Sequence, residues 1–296
     1  MSQQEKFQLY VYDGDYSLPS LDVECLKSIL YTAVAEVPVQ VRLLNNFKHC
    51  VFYNAPTFVH KNLLFKSFHE MMLYLRTLNY NIDNKLSSKQ SSESLALTNL
   101  VQSKLKPVTE FVYWLDQRNS DEFTNIWFMK SLPIPFNYMR TRKFKDQAMN
   151  LMEILYPTET NLDLLKEYLQ RMATECLSSL STRLGTSEYF FGTKPTTLDV
   201  IVYAYLAPLV KLPFPSNEIN NIINMWPNLI NFVKRIDTTY FPNLPKQPKY
   251  LKQPEKTTSS DEDVSYVAIL ILTVSATSLL LGFAFSKGII SSNILQ

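Results

Sequence analysis

The sequence predicts an α+β protein: a small strand-and-helix domain, then an all-α domain, then one C-terminal transmembrane helix. Three observations carry that prediction. Residues 7–78 alternate strand and helix patterns, residues 95–241 keep a helical spacing of apolar positions, and residues 264–286 hold no Asp, Glu, Lys, Arg or His.

The first domain spans 5–80. Phe7 to Tyr12 alternates as a strand, Leu21 to Val34 follows a helical repeat with Ser20 as its natural N-cap, and Val37 to Leu44 reads as a second strand. A strand–helix–strand start implies parallel pairing. Ala55-Pro56-Thr57-Phe58-Val59 then opens a hairpin with Leu63-Leu64-Phe65, and a helix runs from about Phe68 to Leu78. That order is thioredoxin-like, and in such a domain the proline before the third strand is cis, which makes Pro56 the candidate. The polar, serine-rich stretch 81–94 reads as a linker.

The all-α domain spans 95–241, with helical patterns from Leu95 to Leu115, Tyr138 to Leu155 and Leu162 to Leu184, and a kink expected at Pro107. Its central post follows Pro195. Thr196 stands three residues before Asp199, a capping-box spacing, and from Leu198 to Leu206 every residue except Asp199 is apolar or aromatic. No face of such a helix suits water, so the remaining helices must wrap around it. Thr196 and Asp199 are therefore read as scaffold. Asn217 to Met225 and Pro227 to Thr238 close the domain.

Pro242, Pro245, Pro248 and Pro254 make 242–263 an extended spacer. Val264 to Ser286 is long enough, at about 1.5 Å per residue, to cross a hydrocarbon core of about 30 Å. The short tail 287–296 makes a tail-anchored protein the expectation, with the bulk of the chain in the cytosol. Ser278, Gly282 and Ser286 recur every four residues, a spacing that chance explains in a segment rich in small residues.

Composition narrows the chemistry. A net charge of +2 over 296 residues gives no reason to expect nucleic acid. The five glycines, at 14, 185, 192, 282 and 288, cannot form a phosphate-cradling loop. Cys25, Cys50 and Cys176 are widely spaced and odd in number, so a disulfide framework is not expected. His49, His60 and His69 have no zinc-ligand spacing, so no metal is expected. The N-terminus has neither an apolar signal core nor a presequence composition. Arg140, Arg142, Lys143 and Lys145 form a basic run that suits a solvated helix start or the steering of an acidic partner.

Two motifs carry a family resemblance. The string Arg183 to Asp199, RLGTSEYFFGTKPTTLD, with Tyr205-Leu-Ala-Pro208, and the helix Asn228-Leu-Ile-Asn-Phe-Val-Lys-Arg-Ile236, resemble the metaxins, specifically their membrane-anchored branch. The resemblance implies a glutathione transferase-like fold and a non-catalytic subunit of the sorting and assembly machinery of the mitochondrial outer membrane. Such a subunit aids insertion of β-barrel proteins from the cytosolic face. The partners it implies are the β-barrel insertion subunit and a second metaxin, with no cofactor and no small-molecule substrate.

Transferase chemistry needs a hydroxyl or thiol near the end of the first strand to stabilise a thiolate. Tyr10, Tyr12, Ser17 and Ser20 are available by position, each with an ordinary structural explanation. Where glutathione-binding relatives of this fold carry an acidic residue before Ser, this chain has Lys66-Ser67, which removes the partner of the tripeptide's ammonium group. No catalytic residue is assigned. The alternatives are an organelle tether or motor adaptor and a membrane-anchored glutathione-dependent enzyme.

Overall fold

A computed structural model describes residues 7–157, 162–245 and 248–250, together with Thr277, Ser278 and Phe283. Residues 1–251 form one compact unit, and 252–296 form a second. Apart from Thr277, Ser278 and Phe283, the predicted span from Val264 to Ser286 and the tail 287–296 lie outside the described residues. Among the described residues no helix is long and apolar enough to cross a membrane.

The first lobe of the compact unit is a four-stranded sheet with helices. β1 (Phe7–Val11), α1 (Val23–Val34) and β2 (Val39–Leu43) give a parallel β1–β2 pair, with Phe7 opposite Val39 and Val11 opposite Leu43. A short α2 (Phe47–Phe52) leads to β3 (Thr57–His60), β4 (Leu63–Phe65) and α3 (Phe68–Thr77). β3 runs antiparallel to β1 and to β4, giving the order β2-β1-β3-β4. Helix α2 has no counterpart in the sequence reading. Its six residues are too few for a periodic signal, and Asn46 starts it by accepting the His49 amide at 2.9 Å.

The start of α1 differs from expectation. Its N-cap is Asp22, which accepts the Cys25 amide at 2.8 Å, whereas the Ser20 hydroxyl accepts the Asp22 amide at 3.3 Å. An ionised carboxylate is the stronger acceptor at a helix N-terminus, so the cap falls two residues later.

The second lobe is helical. α4 (Ser88–Glu110) begins inside the stretch expected to be linker, because Ser87 and Gln90 form a capping box over its first turn. The connection is therefore shorter than 81–94. α4 runs through Pro107 and widens into π-turns at Phe111–Leu115. A single turn, α5 (Gln117–Asn119), a second π-segment (Ser120–Thr124) and α6 (Asn125–Ser131) follow. α7 (Phe136–Leu155), α8 (Leu162–Leu184), α9 (Thr197–Lys211), α10 (Glu218–Ile223) and α11 (Pro227–Tyr240) complete it.

Helix α9 occupies the centre. Every residue from Thr197 to Leu209 is buried, with α1, α4, α10 and α11 packed on it. Its contact with α1 joins the two lobes into one unit. Polar bonds fix the seam: Asp83 accepts the Thr197 amide at 2.9 Å and hydroxyl at 2.6 Å and pairs with Arg76. The Tyr113 hydroxyl donates to the Leu21 carbonyl at 3.0 Å across the same seam.

The spacer reading changes at its start. The Pro245 carbonyl accepts the Ser17 amide at 3.2 Å, and the Lys249 amide reaches both Asp15 carboxylate oxygens at 3.1 Å. The Lys249 ammonium and the Tyr250 hydroxyl both bond Asp13, at 2.9 and 2.7 Å. The indole of Trp127 donates to Asp15 at 3.0 Å and meets the Tyr250 ring edge-on at 5.4 Å. Two carboxylates that burial would otherwise penalise are satisfied by this return of the chain, so it is bound as far as Tyr250. The loop that presents them needs Gly14, because a Cβ there would lie 2.1 Å from the Leu18 carbonyl oxygen.

Candidate functional site

Between the lobes lies a cleft of about 670 Å³, the concavity in which a fold of this type would hold a ligand. The first lobe supplies Tyr12 after β1, Asp22 at the cap of α1, Pro56 before β3, and Lys66 and Ser67 at the start of α3. The helical lobe supplies Glu110, Tyr113 and Trp114 from the end of α4 and the π-turn, and Arg140, Lys143 and Phe144 from α7.

The structure brings some predicted residues together here and disperses others. The Ala55–Pro56 peptide is cis and faces the cleft, and Ile134–Pro135 is a second cis bond for which the sequence reading had no expectation. Tyr12 lines the wall, but only 2 % of its surface is exposed, and its ring packs edge-on against Phe128 and Phe144. Burial drives its ionisation far above the ordinary phenol range, so the hydroxyl stays protonated. Tyr10 points elsewhere: it stacks on Tyr53 with centroids 3.8 Å apart and donates to Gln8 at 2.9 Å. The backbone of Ser17 is occupied by Pro245 and by the Lys211 ammonium at 2.6 Å, and Ser20 is fully buried.

Ser67 caps α3 by accepting the Glu70 amide at 3.2 Å, while Glu70 accepts the Lys66 amide at 2.9 Å. The acidic group at this corner thus folds back onto the helix start and leaves the Lys66 side chain for the cleft. The thiols of Cys25, Cys50 and Cys176 are free and buried, and desolvation raises all three. Among the described residues no group of His, Cys, Asp and Glu could hold a metal ion.

The two perturbed carboxyls of the cleft escaped sequence reasoning as site residues. Burial pushes Glu110 up to about 7, reinforced by Asp22, and burial pushes Asp22 up to about 6 against the opposing pull of the Cys25 bonds. Beside them Lys27 is buried on α1, bonding Glu24 at 2.6 Å and the Tyr205 hydroxyl at 3.1 Å, over whose ring it sits at 4.4 Å. No spacing in the sequence pairs residues 22, 27, 110 and 205. The only available signal was an acid near the end of a helix whose other inward positions are apolar.

Thr196 and Asp199 lie away from the cleft, at the start of α9. One Asp199 oxygen accepts the Thr196 amide at 2.8 Å and hydroxyl at 2.7 Å, and the other accepts the Phe190 amide at 3.0 Å. Burial still lifts this carboxyl to about 6. The carboxylate ties the turn that carries Tyr189, Phe190 and Gly192 to the central post and leaves no acceptor directed at a ligand.

Comparisons with known proteins agree with this architecture. A model described as "Outer mitochondrial membrane transport complex protein" matches residues 25–145, and one described as "Glutathione S-transferase, C-terminal domain" matches residues 173–236. The chain is 31% identical over 244 residues to the "Metaxin-1 homolog" of Drosophila melanogaster, covering 81% of this chain and 75% of the relative. It is 29% identical over 290 residues to "Metaxin-1" of Macaca fascicularis, covering 96% of this chain and 91% of the relative. Among solved structures, glutathione transferase GSTFuA3 from Phanerochaete chrysosporium aligns over 81% of this chain and 99% of its own, with a TM-score of 0.53 and 11% identity. CsGST83044 of Ceriporiopsis subvermispora, solved with glutathione, aligns over 79% of this chain and 99% of its own, with a TM-score of 0.52 and 11% identity. At that identity the two structures speak to the fold alone.

Proposed function

The chain belongs to the metaxin family, and from that premise we propose that it is a non-catalytic subunit of the sorting and assembly machinery of the mitochondrial outer membrane. In this reading it aids insertion of β-barrel proteins from the cytosolic face. Val264 to Ser286 is its membrane anchor, and its partners are the barrel-insertion subunit and a second metaxin. The observation that carries the reading is a likeness to metaxins extending over 96% of the chain. The match of residues 25–145 to an outer-membrane transport family supports a role in import at that membrane.

Two features support the absence of catalysis. The one hydroxyl near the end of β1 that lines the cleft, that of Tyr12, is buried and held protonated, so it is not poised to stabilise a thiolate. The corner that would take a tripeptide's ammonium group presents Lys66, with Glu70 turned back onto the backbone. Affinity isolation of the tagged full-length chain from gently solubilised mitochondria tests the proposal. The barrel-insertion subunit and a second metaxin should co-elute, and an eluate lacking the barrel subunit refutes it.

A further inference from the structure

We propose that the face formed by α2 and the first turns of α7 docks on the anionic phospholipid headgroups of the membrane that holds the chain. The inference rests on the reading of 264–286 as an anchor. It begins with side chains that the fold leaves unburied. Phe47, Val51 and Phe52 of α2 and Tyr138 and Met139 of α7 are all more than half exposed, Phe52 at 70%. Ile134, in the turn before α7, is exposed beside them. The two helices form one surface: the Phe47 ring meets the Phe136 ring at 5.4 Å, and Arg140 reaches the Tyr53 carbonyl at 3.5 Å.

Charge decides the class of partner. Within residues 41–53 and 136–146 stand Arg42, Lys48, Arg140, Arg142, Lys143 and Lys145, against Asp146 as the one acid. Asp146 lies 3.9 Å from Arg142, with both side chains exposed, a separation at which it offsets little. Six of the chain's 29 Lys and Arg thus stand in the two short segments that carry these exposed aromatic and aliphatic tips, Arg140 and Lys143 of them also reaching the cleft. Aromatic and aliphatic tips ringed by Lys and Arg suit a headgroup layer, in which rings enter the interface while cations meet phosphates.

Chain geometry supplies the second argument. Tyr250 is held at the α6–α7 corner, since Lys130 at the end of α6 donates to its carbonyl at 3.2 Å. The same corner is closed by Asn137 of α7 donating to the Met129 carbonyl at 3.2 Å. Only residues 251–263 separate that point from the proposed anchor. At about 3.5 Å per residue, thirteen residues reach at most about 45 Å, so this corner of the body cannot leave the neighbourhood of the bilayer. A short tether fastened beside a basic, aromatic-studded face presents that face to lipid at high local concentration.

The test uses the full chain mixed with vesicles of phosphatidylcholine alone or with phosphatidylserine. It carries an environment-sensitive fluorophore through Phe52→Cys or, as a control between α10 and α11, through Met225→Cys; both positions are exposed and the native cysteines are buried. Brominated lipid should quench the label at 52, not that at 225, and only in vesicles containing phosphatidylserine. Arg142→Glu with Lys145→Glu should lower the docked-to-free ratio about tenfold or more, with flotation unchanged. Carbonate-resistant flotation with equal quenching at both positions, or at 52 in both lipid mixtures, overturns the docking face and leaves the anchor intact. Salt-reversible binding to phosphatidylserine vesicles alone, stripped by carbonate, supports the face and refutes the anchor. Failure to float with either mixture refutes both. A concentration-dependent shift of the label at 52 in detergent assigns the face to a second copy and overturns the proposal.

Discussion

Glu110→Gln probes the physics of the cleft directly. A glutamate in water ionises near 4.5, whereas burial and the neighbouring Asp22 hold this one until about 7. Between those two values the unfolded chain has released a proton that the folded chain still binds, so stability falls as pH rises through this window. The gap corresponds to about 3 kcal/mol at about 1.4 kcal/mol per tenfold change, and the side chain's partial exposure reduces it to about 2 kcal/mol. Glutamine keeps the shape and never ionises. Glu110→Gln should therefore match the wild-type protein near pH 4.5 and exceed it by about 2 kcal/mol at pH 8, a rise of roughly 4–8 °C in melting temperature. Intrinsic tryptophan fluorescence of the detergent-solubilised full chain, heated at each pH, reads the difference. Melting curves separated by the same amount at both pH values would show that Glu110 titrates normally and that the cleft does not desolvate it.

Three further outcomes concern the start of α9 and the Gly14 loop. Asp199→Ala leaves the amides of Thr196 and Phe190 and the Thr196 hydroxyl without an acceptor, and should cost about 3 kcal/mol or more in urea unfolding. Asp199→Asn restores part of that loss, and its deficit relative to wild type should shrink between pH 4 and 7 because it no longer carries the burial cost that lifts Asp199 to about 6. Gly14→Ala sets a methyl group against the Leu18 carbonyl and should cost about 2 kcal/mol or more, with the segment around Tyr250 becoming open to limited proteolysis as Asp13 and Asp15 shift. A Gly14→Ala chain that melts and digests like the wild type would show that this loop does not hold the returning segment.

Local chemistry explains what could be read directly. Strand alternation at Phe7–Val11, the proline ahead of β3, the spacing of Thr196 and Asp199, and the uninterrupted apolar run of α9 each depend on neighbours within about one helical turn or one hairpin. Where two local signals compete, residue identity alone does not rank them. Ser20 is a sound cap by identity, but Asp22 offers a charged acceptor two residues later. The serines of 88–94 resemble linker by composition, but a capping box at Ser87 and Gln90 draws them into α4.

The sequence alone determined the order of the longer elements, the greasy post around which the second lobe is built, the uncharged length of 264–286 and the family. Tertiary structure alone decided which distant groups share an environment. Asp13 and Tyr250 are 237 residues apart yet hydrogen-bonded, Lys27 meets Tyr205 across the seam of two lobes, and Glu110 titrates late because the fold buries it and then brings Asp22 to its side. The physical reason is range: propensity and capping act over a few residues, whereas desolvation and charge coupling depend on distance in space, which only the packed chain sets.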